Sequence, residues 1–172
     1  MLDNHQSIIP VLEDPNIFKV LDYWVLHQPN AVLYTFLDQH GNIKEQLSYK
    51  QFSDSIECIA SHLQRQMKKK NGERVLLCYQ PGLEFICALF ACNKIGCIGV
   101  PSPPLLTHNL SAWKFSIEHI LEDSMSENIA MCTETKRRLE TFSSSSEDPL
   151  VKSFLNHFQS IKSLITTALE DN

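Results

Sequence analysis

The sequence predicts an α/β fold: a mostly parallel sheet flanked by helices, with an N-terminal helix and a β-hairpin ahead of it. The stretch Arg74 to Pro104 predicts it first, because it reads as strand, turn, buried helix, strand and proline-rich exit. Ser48 then opens an amphipathic helix with its own start signal. Short apolar runs recur after helical segments at Asn128 to Cys132 and at Ile161 to Ala168. Strands alternating with helices point to parallel pairing through crossovers.

Residues 1–16 are polar, carry two prolines, and read as an irregular lead-in. Ile17 to Gln28 follows as a helix, with Asp14 or Asn16 near its start and Pro29 ending it. Phe18, Leu21, Trp24 and Val25 recur at helical spacing. Trp24 therefore reads as a core anchor and not as an exposed binding aromatic. Ala31 to Leu37 is rich in strand formers, His40-Gly41-Asn42 signals a turn, and Ile43 to Leu47 returns as the second strand of a hairpin. His40 reads as a solvated loop residue.

Ser48 and Gln51 form a capping box, in which each side chain satisfies the other residue's free backbone amide. Phe52, Ile56, Ile59, Ala60, Leu63 and Met67 mark one face at intervals of three and four. Arg65 and Lys68-Lys69-Lys70 gather at the far end, where cations suit the helix dipole. That reading is preferred to a membrane or nucleic-acid patch.

Val75 to Tyr79 is nearly all apolar, as a strand buried on both faces must be. Pro81-Gly82 breaks it, and Leu83 to Ile95 is long enough for about three helical turns. Glu84 and Lys94 suit the two ends of that helix, and Gly96 fits the position just past it. Ile98 to Pro101 is the next short strand, and the prolines to Pro104 favour an extended, stiff exit. Asn109 or Ser111 can cap a helix to about Ser124, with Trp113, Ile117, Ile120 and Leu121 inward. After the strand Asn128 to Cys132, a charged helix is expected over Thr133 to Phe142. Residues 143–149 then read as a mobile loop, on their serine run and acidic tail. Leu150 to Phe158 is a further amphipathic helix, and Ile161 to Ala168 a final strand. There is no internal repeat, and residues 1–172 are expected to form a single α/β domain.

Composition excludes several classes. Hydrophobic residues make up 43% of the chain, enough for a real core, and the net charge of −5 argues against general nucleic-acid binding. No apolar run is long enough to cross a bilayer, so membrane insertion is not expected. Cysteines at positions 58, 78, 87, 92, 97 and 132 show no C-x-x-C spacing and mostly lie in apolar runs. They read as core thiols of a reduced, cytoplasmic protein.

Chemistry is sparse. Glycines stand only at 41, 72, 82, 96 and 99, so neither a dinucleotide fingerprint nor a P-loop can be written. The turn Gln80-Pro81-Gly82-Leu83 meets a helix N-terminus and could hold an anion, but it reads better as a plain helix start. Glu118, His119, Glu122 and Asp123 share one helix, where a solvated acidic face is preferred to a metal site. No hydrolase nucleophile motif is present. No catalytic, cofactor-binding or metal residue is assigned from these residues.

The same stretch resembles the N-terminal region of fatty acyl-AMP ligases, a branch of the AMP-forming acyl and aryl ligase superfamily. The matching residues are Arg74-Val75-Leu76-Leu77, Pro81-Gly82-Leu83-Glu84-Phe85, Phe90-Ala91-Cys92, Gly96, and Val100-Pro101-Ser102-Pro103-Pro104. Leu47-Ser48-Tyr49 through Phe52 looks like the early L-[ST]-Y motif of the superfamily. His119 to Ser124 and on to Thr133 looks like the helix and strand that follow the exit. The resemblance is clear from Leu21 to Thr133 and weaker to Thr167. The Val-Pro-x-Pro-Pro exit looks more like this branch than like acyl-CoA synthetases or peptide-synthetase adenylation domains, and part of an acyl-CoA synthetase is kept as an alternative.

The resemblance implies that the full-length enzyme activates a fatty acid with ATP and Mg²⁺ and passes the acyl group to an acyl carrier protein. It also implies that this chain is an incomplete N-terminal subdomain. The family's Ser/Thr/Gly-rich ATP loop has no counterpart here, so the chain alone is expected to be inactive and to bind neither ATP nor Mg²⁺ tightly. A stand-alone module that binds acyl chains or a partner is the competing reading. Self-association through the face that a missing half would leave is a further expectation.

Overall fold

In the computed structural model the described residues are 16–67, 71–105, 110–145, 149–160 and 162–166. The lead-in over 1–15, Lys68 to Lys70, the candidate cap Asn109 and Ser146-Glu147-Asp148 lie outside them, as do Ile161 and residues 167–172.

Helix α1 (Ile17–His27) starts where Asn16 accepts a 2.9 Å hydrogen bond from the Phe18 amide. Strands β1 (Val32–Leu37) and β2 (Ile43–Ser48) pair antiparallel, with Thr35 opposite Gln46. Their turn is tied by Asp38, whose carboxylate accepts from the backbone amides of His40 and Asn42 and from the Asn42 side chain. Helix α2 (Tyr49–Gln66) opens on the expected capping box. The Gln51 amide donates to Ser48 Oγ at 3.2 Å, and the Ser48 amide donates to Gln51 Oε1 at 2.9 Å. All six residues of its predicted face are buried.

Strand β3 (Arg74–Cys78), helix α3 (Leu83–Lys94) and strand β4 (Ile98–Pro101) form the expected parallel crossover, with Leu76 opposite Val100. The chain leaves α3 through Gly96 at φ +76°, a left-handed turn that glycine makes without strain. Helix α4 (Leu110–Ser124), strand β5 (Asn128–Cys132), helices α5 (Thr133–Ser145) and α6 (Pro149–Ser160), and strand β6 (Lys162–Thr166) complete the order. The sheet runs β4-β3-β5-β6, and all its pairs are parallel.

The sheet separates two cores. On one face Val75, Leu77, Tyr79, Ala130 and Cys132 pack with α1, α2, α3 and the hairpin. On the other Leu76, Cys78, Ile129 and Met131 pack with Trp113, Ile117, Leu139, Val151, Phe154 and Leu155 of α4, α5 and α6. Successive residues of a strand point to opposite faces, so β3 and β5 feed both cores at once. Their uninterrupted apolar runs are the cause of this layering.

Three expectations change. Helix α5 runs to Ser145 instead of ending at Phe142, so residues 143–145 of the expected loop are helical. Ser144 and Ser145 return their hydroxyls to the carbonyls of Glu140 and Thr141, which satisfies them within a helix. Pro149 is the first residue of α6, where its missing amide costs nothing. Trp24 sits at the rim of the core instead of anchoring it, stacked on Tyr49 at 5.8 Å. Cys58 is exposed, because it falls on the face of α2 opposite Phe52 and Ile56, whereas the other five thiols are buried.

Candidate functional site

The strand order places a reversal between β3 and β5. From β3 the chain moves outward to β4, and from β5 it moves the other way to β6. In open parallel sheets the crevice beyond the carboxyl ends of two such strands is the favoured ligand position. A groove of ≈ 300 Å³ lies there.

Gln80, Pro81, Gly82, Leu83 and Glu84 form one wall, following β3 into α3. Cys132 and Glu134 come from the end of β5 and the first turn of α5. Phe36, Lys44 and Glu45 of the hairpin form the third wall, with the Lys44 ammonium 5.6 Å from the Phe36 ring centroid. The hairpin reaches this position because Tyr34 packs edge-on against Phe52 of α2, at 5.0 Å between ring centroids.

The proline-rich exit frames the same end of the sheet. Ser102 donates to the Leu77 carbonyl through both its amide (3.2 Å) and its hydroxyl (3.0 Å). Trp113 Nε1 donates to the Pro103 carbonyl at 3.1 Å, and Gln80 Nε2 to the Leu105 carbonyl at 3.4 Å. The turn after β3 and the exit after β4 are thus tied to each other and to α4.

The charged side chains that line the groove are mostly acidic. Glu45, Glu84 and Glu134 line it against the single cation Lys44. Glu134 is occupied by Arg137, which donates at 2.8 and 2.9 Å, and by Arg138 at 2.6 Å. These hydrogen bonds hold its carboxyl down at about 2. Burial pushes the Cys132 thiol up, against the opposing contact from Thr135 Oγ1 at 3.2 Å, so it stays a neutral thiol. Helix α3 begins at Gly82 without a side-chain cap. Glu84 lies in its first turn.

No trio of histidine, cysteine, aspartate or glutamate side chains suited to a metal occurs among the described residues. Glu118 pairs with Lys114 at 3.0 Å, while His119 leans on the Phe115 ring at 4.2 Å. His119, Glu122 and Asp123 are exposed on α4 and Glu118 is half-buried, and His40 is an exposed turn residue. Among the described residues there is no glycine-rich cradle and no trio of ligating side chains for a metal, so they do not fit a nucleotide triphosphate with its Mg²⁺. Sequence reasoning found the Pro81-Gly82 turn but missed Phe36, Lys44 and Glu45. Their approach is a tertiary event with no local signal. No helix among the described residues is long and apolar enough to cross a membrane.

Comparison with known proteins gives this architecture a family. The model of the AMP-binding enzyme family matches residues 21–169. The medium-chain-fatty-acid–[acyl-carrier-protein] ligase JamA of Moorena producens is 37% identical over 92 residues, covering 54% of this chain and 15% of that protein. Disco-interacting protein 2 of Drosophila melanogaster is 29% identical over 110 residues, covering 64% of this chain and 6% of its own length. The fatty acid AMP ligase of Legionella pneumophila superposes with a TM-score of 0.62 at 28% identity, over 76% of this chain and 21% of that one. The fatty acyl-adenylate ligase of L. pneumophila in complex with acyl adenylate and pyrophosphate gives 0.60 at 26%, over 87% of this chain and 26% of that one. The chain thus spans between about a twentieth and a quarter of these relatives. The expected likeness to the N-terminal part of fatty acyl-AMP ligases holds, and the chain belongs to the AMP-binding enzyme family.

Proposed function

We propose that this chain is the N-terminal subdomain of a fatty acyl-AMP ligase, and that it scaffolds the enzyme without carrying its chemistry. The observation that carries the reading is the joint match of sequence and fold to fatty acid ligases over a small fraction of their length. In the complete enzyme a fatty carboxylate attacks the α-phosphorus of ATP, pyrophosphate leaves, and an acyl-adenylate remains. The acyl group then passes to an acyl carrier protein, the acceptor named for JamA. ATP and Mg²⁺ are held by residues outside this chain. Here the sheet and its proline-rich exit supply a fixed wall, and the groove past β3 and β5 is where neighbouring parts of the enzyme meet it. A reducing, cytoplasmic setting accords with cysteines that lie mostly buried in the two cores.

ATP–pyrophosphate exchange tests this with fatty acids of several lengths. The 172-residue chain is expected to give no exchange. A chimera carrying it in place of the matching region of the Legionella ligase is expected to restore exchange above that of the truncated ligase. Turnover by the chain alone would sink the scaffold assignment. A folded chimera with no activity on any fatty acid would sink the ligase assignment.

A further inference from the structure

The buried thiols are not alike. Cys78 Sγ contacts Ser102 Oγ at 3.3 Å, and Cys132 contacts Thr135 Oγ1 at 3.2 Å. Cys87 is hydrogen-bonded to Ser55. Cys92 instead has another thiol, Cys97, as its charge neighbour.

The end of helix α3 explains why. Gly96 is in the left-handed conformation, the Cys97 amide donates to the Cys92 carbonyl at 2.9 Å, and the Gly96 amide donates to the Asn93 carbonyl at 3.1 Å. This is the six-to-one and five-to-two pattern of a Schellman motif, in which the side chains of the first and sixth residues commonly meet. Here both are cysteines. With the 2.9 Å hydrogen bond closing the loop, standard backbone lengths cap the Cα separation at about 6.8 Å. A disulfide accepts Cα separations of about 4.4–6.8 Å, so this upper bound falls within its reach.

We propose that Cys92 and Cys97 form a dithiol that a peroxide closes into an intrachain disulfide, stapling the end of α3 to the entry of β4. Cys97 is the entry point, since it keeps 8% of its surface while Cys92 keeps none. Its sulfur attacks one oxygen of hydrogen peroxide, giving a sulfenic acid and one water. The Cys92 sulfur then displaces the hydroxyl, giving the disulfide and a second water. The two thiols lose two electrons and two protons, and the peroxide is reduced. Only the thiolate attacks, so closure speeds up as pH rises. Burial holds the Cys92 thiol up at about 12, which makes the staple slow at neutral pH. The proposal is independent of the ligase reading.

Peptide mapping of the 172-residue chain tests it. The chain is treated with hydrogen peroxide, free thiols are blocked with N-ethylmaleimide under denaturing conditions, and trypsin is applied without reductant. Cleavage after Arg74, Lys94 and Lys114 puts Cys97 on a different peptide from Cys92. The expected product joins Val75–Lys94 to Ile95–Lys114 with the loss of two hydrogens, parts on reduction, and is absent from C92A and C97A. Fragment ions from the unaltered chain place the link at Cys92, and not at Cys78 or Cys87, even if a variant fails to fold. Recovery of Cys97 wholly as the maleimide adduct or a sulfinic acid would overturn the proposal, as would a link that survives in C92A.

Discussion

Truncation of Phe52 to alanine probes the joint on which the groove depends. Phe52 is 1% exposed, and its ring meets Tyr34 of the hairpin at 5.0 Å and Phe90 of α3 at 5.2 Å, both edge-on. Removing a buried phenylalanine costs about 3–5 kcal/mol. Edge-to-face pairs contribute about 0.5–1.5 kcal/mol each beyond area, which places this site in the upper half of that range, about 4–5 kcal/mol. Domain stabilities run about 5–15 kcal/mol, so F52A should be close to unfolding. With a urea slope of about 1–3 kcal/mol per molar, the midpoint should fall by at least about 1.3 M, read by far-ultraviolet circular dichroism. F52L keeps most of the volume and should lose only about 1–1.5 kcal/mol. A midpoint shift under about 0.5 M for F52A would refute the reasoning, because the hairpin could not then be seated through this ring.

Further outcomes follow from single residues. S48A should cost about 1 kcal/mol in urea titration, since the Gln51 amide loses its acceptor. G96A should cost about 1–2 kcal/mol, because a Cβ there is forced to positive φ and meets Asn71 Oδ1 at 3.2 Å. Carboxyl ¹³C titration should find Glu134 ionising near 2, and moving back toward the ordinary glutamate range when Arg137 and Arg138 are both alanine. That carboxyl is depressed by folding, so its contribution is complete above its usual value near 4.5 and fades as pH falls toward about 2. Brief iodoacetamide treatment of the native chain at pH 8 should label Cys58 well ahead of Cys78, Cys87 and Cys92. Those three thiols are pushed up to about 12 by burial.

Local chemistry made much of the fold readable in advance. The Ser48–Gln51 box, the six-residue apolar face after it, the Pro81-Gly82 break and Gly96 are all signals carried within a few residues of where they act. The hairpin was equally plain from Gly41 and its flanking strands. What escaped is what depends on distant partners. Nothing near Phe36 or Glu45 announces that the hairpin walls a groove at the end of β3. Trp24 has helical spacing, yet it lies half-buried, stacked on Tyr49 at 5.8 Å. The serine run looked like a linker because free serine favours turns, but its hydroxyls bond back along α5. The groove was least legible of all, being assembled from three elements that only tertiary packing brings together.

Strands buried on both sides carry a cost in register. A strand with one wet face is held in place by its alternation, since a one-residue slip would expose its apolar set. β3 lacks that safeguard: a slip would only exchange Leu76 and Cys78 with Val75 and Leu77 between two equally dry cores. Its alignment with β4 must therefore be fixed by shape and by clasps at its ends. At one end the Gly72 amide bonds the Gly96 carbonyl and the Ile98 amide bonds the Glu73 carbonyl, while at the other Ser102 grips the Leu77 carbonyl twice. Between them, a Cβ on Gly99 would lie 2.9 Å from Leu89 Cδ1 and 3.0 Å from Leu77 Cδ1, so no residue but glycine can stand in that place without displacing them. Part of what holds the sheet's centre in line thus comes from a glycine and a serine, residues that contribute almost nothing to its hydrophobic content.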